Sequence, residues 1–384
     1  MKRIVILGAG FGGLETATGL SEVLRDGYEI VLVDKGDSFF VGFSKIDVLF
    51  GRKREDEVRY PYARLRARGV RFVQDTVSAI DVDARTVTTA GGARLDYDYL
   101  VVALGADLAP DATPGFVESG GHEFYSMAGA RALGPVVEAF TGGTLVLGIL
   151  GSPYKCPPAP YEVAYQLHDL FARKGVRERI TMKVVIPSPQ PVPSPGVSEV
   201  LSKLLAERAI ELVTSAPIGR IDAASREVVC GDARIAYDLF VGVPVHVPPA
   251  VVRASKLGVG GFVKASPLNL ETAYPGVYAI GDVSAVPAGD KVVAKAGVFA
   301  EGGARTVVSD ILVKEGRLEA LVKFEAKGTC YFELGGGQVA KVEADFLGGP
   351  QPSMKAVGPL PEIEHDKRAF VSTRRDRWFT SGGE

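Results

Sequence analysis

A glycine-rich segment near the amino terminus has the spacing of a phosphate-binding turn. It fits G-x-G-x-x-G and comprises Gly8, Ala9, Gly10, Phe11, Gly12 and Gly13. The segment follows an apolar strand at 3–7 and opens a helix that runs to about Leu24. In such a unit, the glycines permit a tight turn, a close approach of backbone to pyrophosphate and close helix–strand packing, while the helix N-terminus attracts the phosphates. The segment predicts a dinucleotide site.

The next strand, 29–34, ends in Asp34, 21 residues after Gly13. Its carboxylate can accept hydrogen bonds from ribose hydroxyls. Lys35 follows directly and is included among the predicted cofactor contacts.

Cys156 is a candidate for redox chemistry. The segment 160–171 has helical periodicity, and Pro157 or Pro158 suits the start of a helix. Cys156 is therefore expected near a helix N-terminus, where the helix dipole lowers a thiol pKa and increases the thiolate fraction. A buried structural cysteine is the alternative.

An internal repeat indicates how these residues are positioned. Segments 80–102 and 221–241 each read as strands with a polar turn that end in an apolar strand. The sequence predicts an α/β fold with two Rossmann-like domains, each with a β-meander insertion, and a small C-terminal segment. The expected units are a discontinuous first domain at 1–112 and 253–325, a second domain at 113–252, and a C-terminal segment at 326–384.

The second domain lacks the features of a second dinucleotide site. Its first strand, 144–150, leads into Gly-Ser-Pro-Tyr-Lys-Cys-Pro-Pro, where prolines and bulky side chains replace the glycines. The strand at 182–186 ends in Pro-Ser-Pro, without a carboxylate for a ribose. NAD(P)H is therefore not expected as the direct reductant.

Composition excludes several classes of protein. The chain has 44 basic and 46 acidic residues and a net charge near −2, so nucleic acid is not an expected partner. Lys2 and Arg3 lead into a short strand and not a signal peptide, and the expected location is the cytoplasm. Three cysteines are too few for a disulfide framework, and four scattered histidines lack metal-ligand spacing, so no metal site is expected.

The far part of the chain indicates which dinucleotide binds. Segment 272–282 resembles the second FAD motif of the two-dinucleotide-binding flavoproteins, and segment 103–106 resembles their linking motif. The resemblance implies FAD, with Asp282 at the ribityl chain. It also implies cofactor contacts at Ala103, Gly105 and Gly281.

Three segments resemble the sulfide:quinone oxidoreductases and the flavoprotein subunit of flavocytochrome c sulfide dehydrogenase. They are 156–162, 295–301 and 330–334. The resemblance implies a redox-active disulfide between Cys156 and Cys330 beside the flavin. It also implies a cation, Lys295, near the pyrimidine edge of the isoalloxazine, and a carboxylate, Glu162, that handles protons. The implied reaction oxidises sulfide or a related small sulfur compound and passes electrons through FAD to quinone or another acceptor.

The sequence also departs from those families. It lacks the third redox cysteine that classical sulfide:quinone oxidoreductases carry near the position of Met127. Cys230 does not replace it, because the repeat places Cys230 at a meander turn, where a structural role is expected. The flavocytochrome subunit attaches FAD through a cysteine near the position of Gly42. Because no cysteine lies between Asp34 and Cys156, non-covalent FAD is expected.

The acceptor and the oligomeric state are less constrained. Run 365–379 mixes basic and aromatic residues, as an interfacial helix would for peripheral contact with the inner face of the cell membrane. A terminal helix that folds back on the protein is the alternative, and a homodimer is left open. Two other functions also remain open. One is an NAD(P)H dehydrogenase of the type II NADH:quinone kind or a disulfide reductase, and the other is a flavin-binding protein without turnover.

Overall fold

The structure is a computed structural model that describes residues 1–380 of the 384-residue chain. Eight α-helices lie in this described part. They are α1 (Phe11–Val23), α2 (Ser44–Leu49), α3 (Met127–Ala139), α4 (Ala159–Arg173), α5 (Pro195–Ala206), α6 (Ala250–Ala254), α7 (Gly297–Lys314) and α8 (Pro361–Trp378). No helix within residues 1–380 is long and apolar enough to cross a bilayer.

A five-stranded parallel sheet carries the glycine-rich turn. Its order is Val277–Ala279, Tyr99–Val102, Lys2–Leu7, Tyr28–Asp34 and Val70–Gln74. The strands are almost continuously apolar, as expected for a parallel sheet covered on both faces. Helices α1 and α7 pack against each other beside this sheet. This βαβ arrangement places the turn at 8–13 at the carboxyl end of the first strand.

The second parallel sheet of the fold has four strands. Its order is Ile210–Val213, Ile180–Val185, Gly143–Ile149 and Leu239–Val243. Helix α4 begins beyond the carboxyl end of Gly143–Ile149 and contacts that strand and helix α5. The two parallel sheets confirm the predicted α/β class.

The internal repeat corresponds to two three-stranded antiparallel meanders. The first consists of Val77–Asp81, Thr86–Thr89 and Arg94–Asp96, and the second of Arg220–Asp222, Glu227–Cys230 and Ala233–Ala236. Short strands Asp107–Ala109 and Val245–Val247 connect the two parallel sheets and pair with each other. Three further pairings of two or three residues complete the smaller sheets. Those strands are Ser38–Phe40 with Arg59–Pro61, Val263–Lys264 with Ser284–Ala285, and Pro287–Ala288 with Lys291–Val292.

The C-terminal segment adds an antiparallel sheet and a helix that folds back. The strands Lys327–Gly335, Gln338–Asp345 and Ser353–Val357 lie against α4, α5 and α7. Helix α8 then returns to the first domain, where Trp378 is fully buried and its indole N–H donates to Glu15 at 2.9 Å. The Trp378 ring lies 5.7 Å from the ring of Phe11 and 5.6 Å from that of Phe39, measured between centroids.

This packing corrects the prediction that run 365–379 presents aromatic residues to a membrane. Trp378 and Phe379 are buried in the first hydrophobic core, and Phe370 packs against it. The basic residues of the run are also engaged, because Arg374 lies 2.8 Å from Glu301 and Arg377 lies 2.6 Å from Glu15. The alternative, a terminal helix that folds back on the protein, is the one that the structure shows.

Candidate active site

The glycine-rich turn has the geometry of a dinucleotide cradle. Gly8 adopts φ +93°, and a Cβ on it would lie 2.4 Å from the carbonyl oxygen of Ala103. A Cβ on Gly13 would lie 1.8 Å from the carbonyl oxygen of Gly8, whereas one on Gly10 would meet nothing within 4 Å. Gly8 and Gly13 are therefore required by close backbone packing. Gly10 leaves open space at the start of α1, where a pyrophosphate would approach.

Asp34 stiffens this turn. Its carboxylate accepts the N–H of Ala9 at 2.6 Å and the N–H of Gly36 at 2.7 Å. Lys35 is exposed to solvent and does not line the cavity described next. Its predicted contact with the cofactor therefore has less support than that of Asp34.

An elongated cavity of about 330 Å³ runs from the glycine turn to the C-terminal sheet. Its lining includes most of the residues predicted for cofactor and catalysis. They are Gly10, Phe11, Gly12, Ala103, Gly105, Cys156, Glu162, Gly281, Asp282, Lys295 and Cys330. The hydroxyl of Tyr125, a buried residue on the same wall, has no hydrogen-bond partner among residues 1–380. An orphaned hydroxyl and an open glycine cradle on one cavity fit a flavin dinucleotide with polar ring atoms.

The two candidate redox cysteines reach this cavity from different parts of the fold. Cys156 lies before α4 in the left-handed region at φ +52°, and its N–H donates to the carbonyl of Lys295 at 2.7 Å. Cys330 lies on the strand Lys327–Gly335, opposite Val342. Cys156 packs against the second hydrophobic core and Cys330 against the first. Both are free thiols, so their pairing in a disulfide stays a prediction.

The expected activation of Cys156 by a helix N-terminus is wrong for this structure. Burial raises the pKa of the Cys330 thiol to about 11 and raises that of the Cys156 thiol further, with added repulsion from Glu162 in both cases. Cys156 lies three residues before α4. The N–H of Ala159, which donates to the Cys156 carbonyl at 2.9 Å, acts to lower the thiol pKa, but its effect is smaller than that of burial. Burial therefore outweighs the dipole. A disulfide attacked by an incoming nucleophile does not need an ionised cysteine, so this finding favours that role over an attacking thiolate.

Glu162 is a buried carboxylate whose surroundings control its protonation. It is 1% exposed, and it accepts the backbone N–H of Glu333 at 3.0 Å. The Nζ of Lys367 lies 3.7 Å from the same oxygen. Burial raises the pKa of Glu162 to about 7, although Lys367 acts in the opposite direction. A carboxyl with this pKa can both accept and release a proton near neutral pH.

The raised pKa of Glu162 makes the stability of the protein depend on pH. Because the Glu162 pKa is about 7 in the folded protein against a reference of 4.5, the folded state alone holds this proton between those values, and stability falls as pH rises through them. Glu162→Gln removes the titration. We expect the unfolding free energy of the wild type, relative to this variant, to fall by on the order of 3 kcal/mol from pH 4.5 to pH 7.5 in urea denaturation. Parallel pH profiles for the two proteins would contradict the raised pKa.

Lys295 is positioned by backbone carbonyls. It is 5% exposed, and its Nζ donates to the carbonyl oxygens of Asp282 at 2.6 Å and Ser284 at 3.2 Å. Burial lowers the Lys295 pKa to about 8. Burial also raises the pKa of the Asp282 carboxyl. Both residues line the cavity, and their contact with a flavin stays a prediction.

Three lining residues, Lys45, Tyr125 and Lys155, were not identified from the sequence. Lys45, at α2, donates from Nζ to the carbonyl of Tyr125 at 2.9 Å, and its pKa is lowered to about 8 by burial and by the charge of Lys155. Lys155 also lines the cavity, directly before Cys156. No motif indicated these residues. Tertiary packing brings them to the wall, Lys45 on α2, Tyr125 before α3 and Lys155 on the 151–158 loop.

A second cavity occupies the place of a second nucleotide site. It has a volume of about 600 Å³ and lies beyond the carboxyl ends of strands Gly143–Ile149 and Ile180–Val185. Its wall is largely apolar and contains seven prolines. They are Pro153, Pro157, Pro158, Pro187, Pro189, Pro191 and Pro193. Since proline has no backbone N–H, this wall cannot cradle a pyrophosphate as a glycine turn does. Lys295 and Cys330 line both cavities.

Cys230 lies apart from both cavities. It ends the strand Glu227–Cys230, pairs with Ala233, and is buried among Phe116, Tyr237 and Phe240. This location supports the predicted structural role.

The chain is similar in sequence to known oxidoreductases. The family described as pyridine nucleotide-disulphide oxidoreductase matches residues 2–297. The mitochondrial sulfide:quinone oxidoreductase of Dictyostelium discoideum is 26% identical over 306 residues, which are 75% of this chain and 66% of that protein. An NADH dehydrogenase-like protein of Mycobacterium tuberculosis is 27% identical over 315 residues, which are 76% of this chain and 75% of that protein.

Among solved structures, the sulfide:quinone oxidoreductase of Aquifex aeolicus has the same fold. It matches with a TM-score of 0.84 and 22% identity, and the match covers 98% of this chain and 92% of that one. The similar proteins therefore include both proteins named sulfide:quinone oxidoreductase and a protein named NADH dehydrogenase-like.

Proposed function

This chain belongs to the pyridine nucleotide-disulphide oxidoreductase family and is a flavin-dependent oxidoreductase; from that premise we propose that it oxidises sulfide, or a related small sulfur compound, through Cys156 and Cys330. The observation that carries the proposal is that both thiols line one cavity with Asp282 and Lys295, the residues expected at the flavin. The proposed acceptor of the electrons is a quinone or another oxidant of similar size.

The cavity suits an anionic sulfur substrate. Lys45, Lys155 and Lys295 all line it, and cations in a confined apolar site raise the local concentration of anions such as hydrosulfide. In the oxidised enzyme, hydrosulfide bonds to one sulfur of a Cys156–Cys330 disulfide as the S–S bond breaks. This leaves a persulfide on one cysteine and a thiolate on the other. Bound FAD supplies the acceptor for the two electrons that the sulfur atoms then give up.

The residues that would hold FAD are distributed along the cavity and its glycine-rich end. Gly10 and the N-terminus of α1 would face the pyrophosphate, Asp34 the ribose and Asp282 the ribityl chain. Lys295 would place positive charge at the ring and favour its anionic reduced form. Non-covalent binding is part of the proposal, since Gly42 stands on the cavity wall and offers no side chain for attachment.

Aromatic side chains at one end of the cavity suit a planar acceptor. Phe43, Tyr331 and Phe370 all line it, with the Phe370 ring 5.8 Å from that of Phe43 and 5.9 Å from that of Tyr331. Rings at these separations offer apolar faces for stacking. This cluster supports a quinone as the acceptor.

An NADH dehydrogenase is the second candidate, because one of the similar proteins carries that name. The proline-lined second cavity argues against it, since neither a glycine turn nor a ribose carboxylate stands there.

An anaerobic titration separates the two functions. We expect one equivalent of sulfide to bleach the flavin absorbance of the purified holoenzyme, and NADH at the same concentration to leave it unchanged. Sulfide can reduce the flavin because it reacts covalently at the cysteines. NADH is not expected to bind, because the second cavity has no glycine turn to hold its pyrophosphate. Rapid bleaching by NADH alone would reject the sulfide assignment. Stable absorbance with both donors would favour a flavin-binding protein without turnover.

A further inference from the structure

A row of charged side chains connects the redox cavity with a cleft on the outer surface. Glu162 lines the redox cavity, and its carboxylate oxygen lies 3.7 Å from the Nζ of Lys367. Lys367 forms an ion pair with one carboxylate oxygen of Glu333, whose other oxygen lies 3.0 Å from the Nη2 of Arg52. Lys367, Glu333 and Arg52 line the outer cleft, which has a volume of about 880 Å³.

Solvent exposure increases along this row. The exposed fraction of the side chain is 1% for Glu162, 10% for Lys367, 22% for Glu333 and 38% for Arg52. Buried ion pairs often contribute little to stability, because desolvation offsets the attraction between the charges. A graded series of ionisable groups that joins a buried reaction cavity to water therefore indicates a role beyond stability.

We propose that Glu162, Lys367 and Glu333 form a proton relay between the redox cavity and the water of the outer cleft. The proposal rests on the proposed function, in which hydrosulfide brings one proton into the cavity. The persulfide loses this proton to the carboxylate of Glu162. The ammonium of Lys367 first gives one of its protons to the carboxylate of Glu333, which releases it to the cleft. The neutral amine of Lys367 then takes the proton from Glu162. One proton enters, one leaves, and each group regains its charge.

The groups around Glu162 limit the possible routes. Lys367 from α8, Glu333 from the C-terminal sheet and Arg52 from the loop after α2 face it on the outer side. Cys156, Cys330 and Tyr125 face it on the side of the cavity. Arg52 also reaches the cleft, but a guanidinium does not release its proton near neutral pH. Lys367 and Glu333 are therefore the groups suited to carry the proton outward.

Lys367→Arg in the holoenzyme tests the relay, because arginine keeps the positive charge and cannot give up a proton. Anaerobic stopped-flow mixing with sulfide, with a pH indicator present, follows flavin bleaching and proton release together. At pH 7 we expect release in the variant to slow by about 10-fold or more. Release should also lag behind bleaching, with an increased solvent deuterium isotope effect. Arg368→Met is the control, since this neighbour on α8 is exposed and forms its ion pair with Glu364.

The outcomes are distinct for the relay and for the function. If Lys367→Arg releases protons with the rate, pH profile and isotope effect of the wild type, Lys367 acts by charge alone and the relay is rejected. Glu333→Gln gives an independent variant at the outer end, for which the same lag is expected. If sulfide fails to bleach even the wild type, the proposed function itself fails, and the relay fails with it.

Discussion

Replacing Cys156 by serine will slow the reduction of bound FAD by sulfide by about 1,000-fold or more, the scale on which enzymes lose activity with their covalent catalytic residue. A serine hydroxyl cannot form the disulfide that hydrosulfide attacks. The same loss is expected for Cys330→Ser, because each cysteine is one half of the proposed bond. Anaerobic stopped-flow measurement of the flavin absorbance provides the rate.

Cys230→Ser is the control for this experiment. Cys230 lies in the second meander, apart from both cavities, so its replacement should leave the rate unchanged. FAD content should be equal in all three variants. Wild-type rates in both Cys156→Ser and Cys330→Ser would remove the pair from the reaction and mean that sulfide reduces the flavin without these cysteines.

Gly13→Ala will destabilise the first domain strongly. The added Cβ would stand 1.8 Å from the carbonyl oxygen of Gly8, and both groups belong to backbone that cannot move independently of α1 and its sheet. Overpacking of this kind costs about 3 kcal/mol or more in the free energy of unfolding. The expected result is a lower midpoint in thermal unfolding of the protein freed of FAD, together with loss of FAD on purification.

Gly10→Ala separates folding from cofactor binding. Its Cβ would meet no protein atom within 4 Å, and its φ of −80° is open to alanine. The FAD-free variant should therefore unfold at the temperature of the wild type, yet bind FAD more weakly, because the methyl group would occupy the space of the pyrophosphate. Equal FAD affinity in Gly10→Ala and the wild type would contradict the position assigned to the phosphates.

Local patterns in the sequence account for much of the fold. The first strand, the glycine turn, α1 and the strand that ends in Asp34 differ from the sequence expectation by one or two residues, because apolar runs and turn glycines are read over short distances. The duplicated meander was also predictable, since strand, turn and strand recur in the same order. The second parallel sheet followed from its apolar strands.

The candidate active site could be predicted from local sequence patterns only in part. No spacing rule brings Cys330 to Cys156, and their expected meeting came only from resemblance to known families. Lys45 and Tyr125 reach the wall through tertiary packing that leaves no local signal. The sequence left two interpretations of helix α8 open for a related reason, because the partners of Arg374 and Arg377, Glu301 and Glu15, lie on distant elements.

The burial of Trp378 beside Phe11 has a consequence for biosynthesis. Phe11 in the glycine turn and Phe39 pack against side chains that the ribosome makes more than 330 residues later. The amino-terminal half cannot complete its core during translation. We therefore expect a complete cradle for the cofactor only once α8 has been made and Trp378 has packed against Phe11.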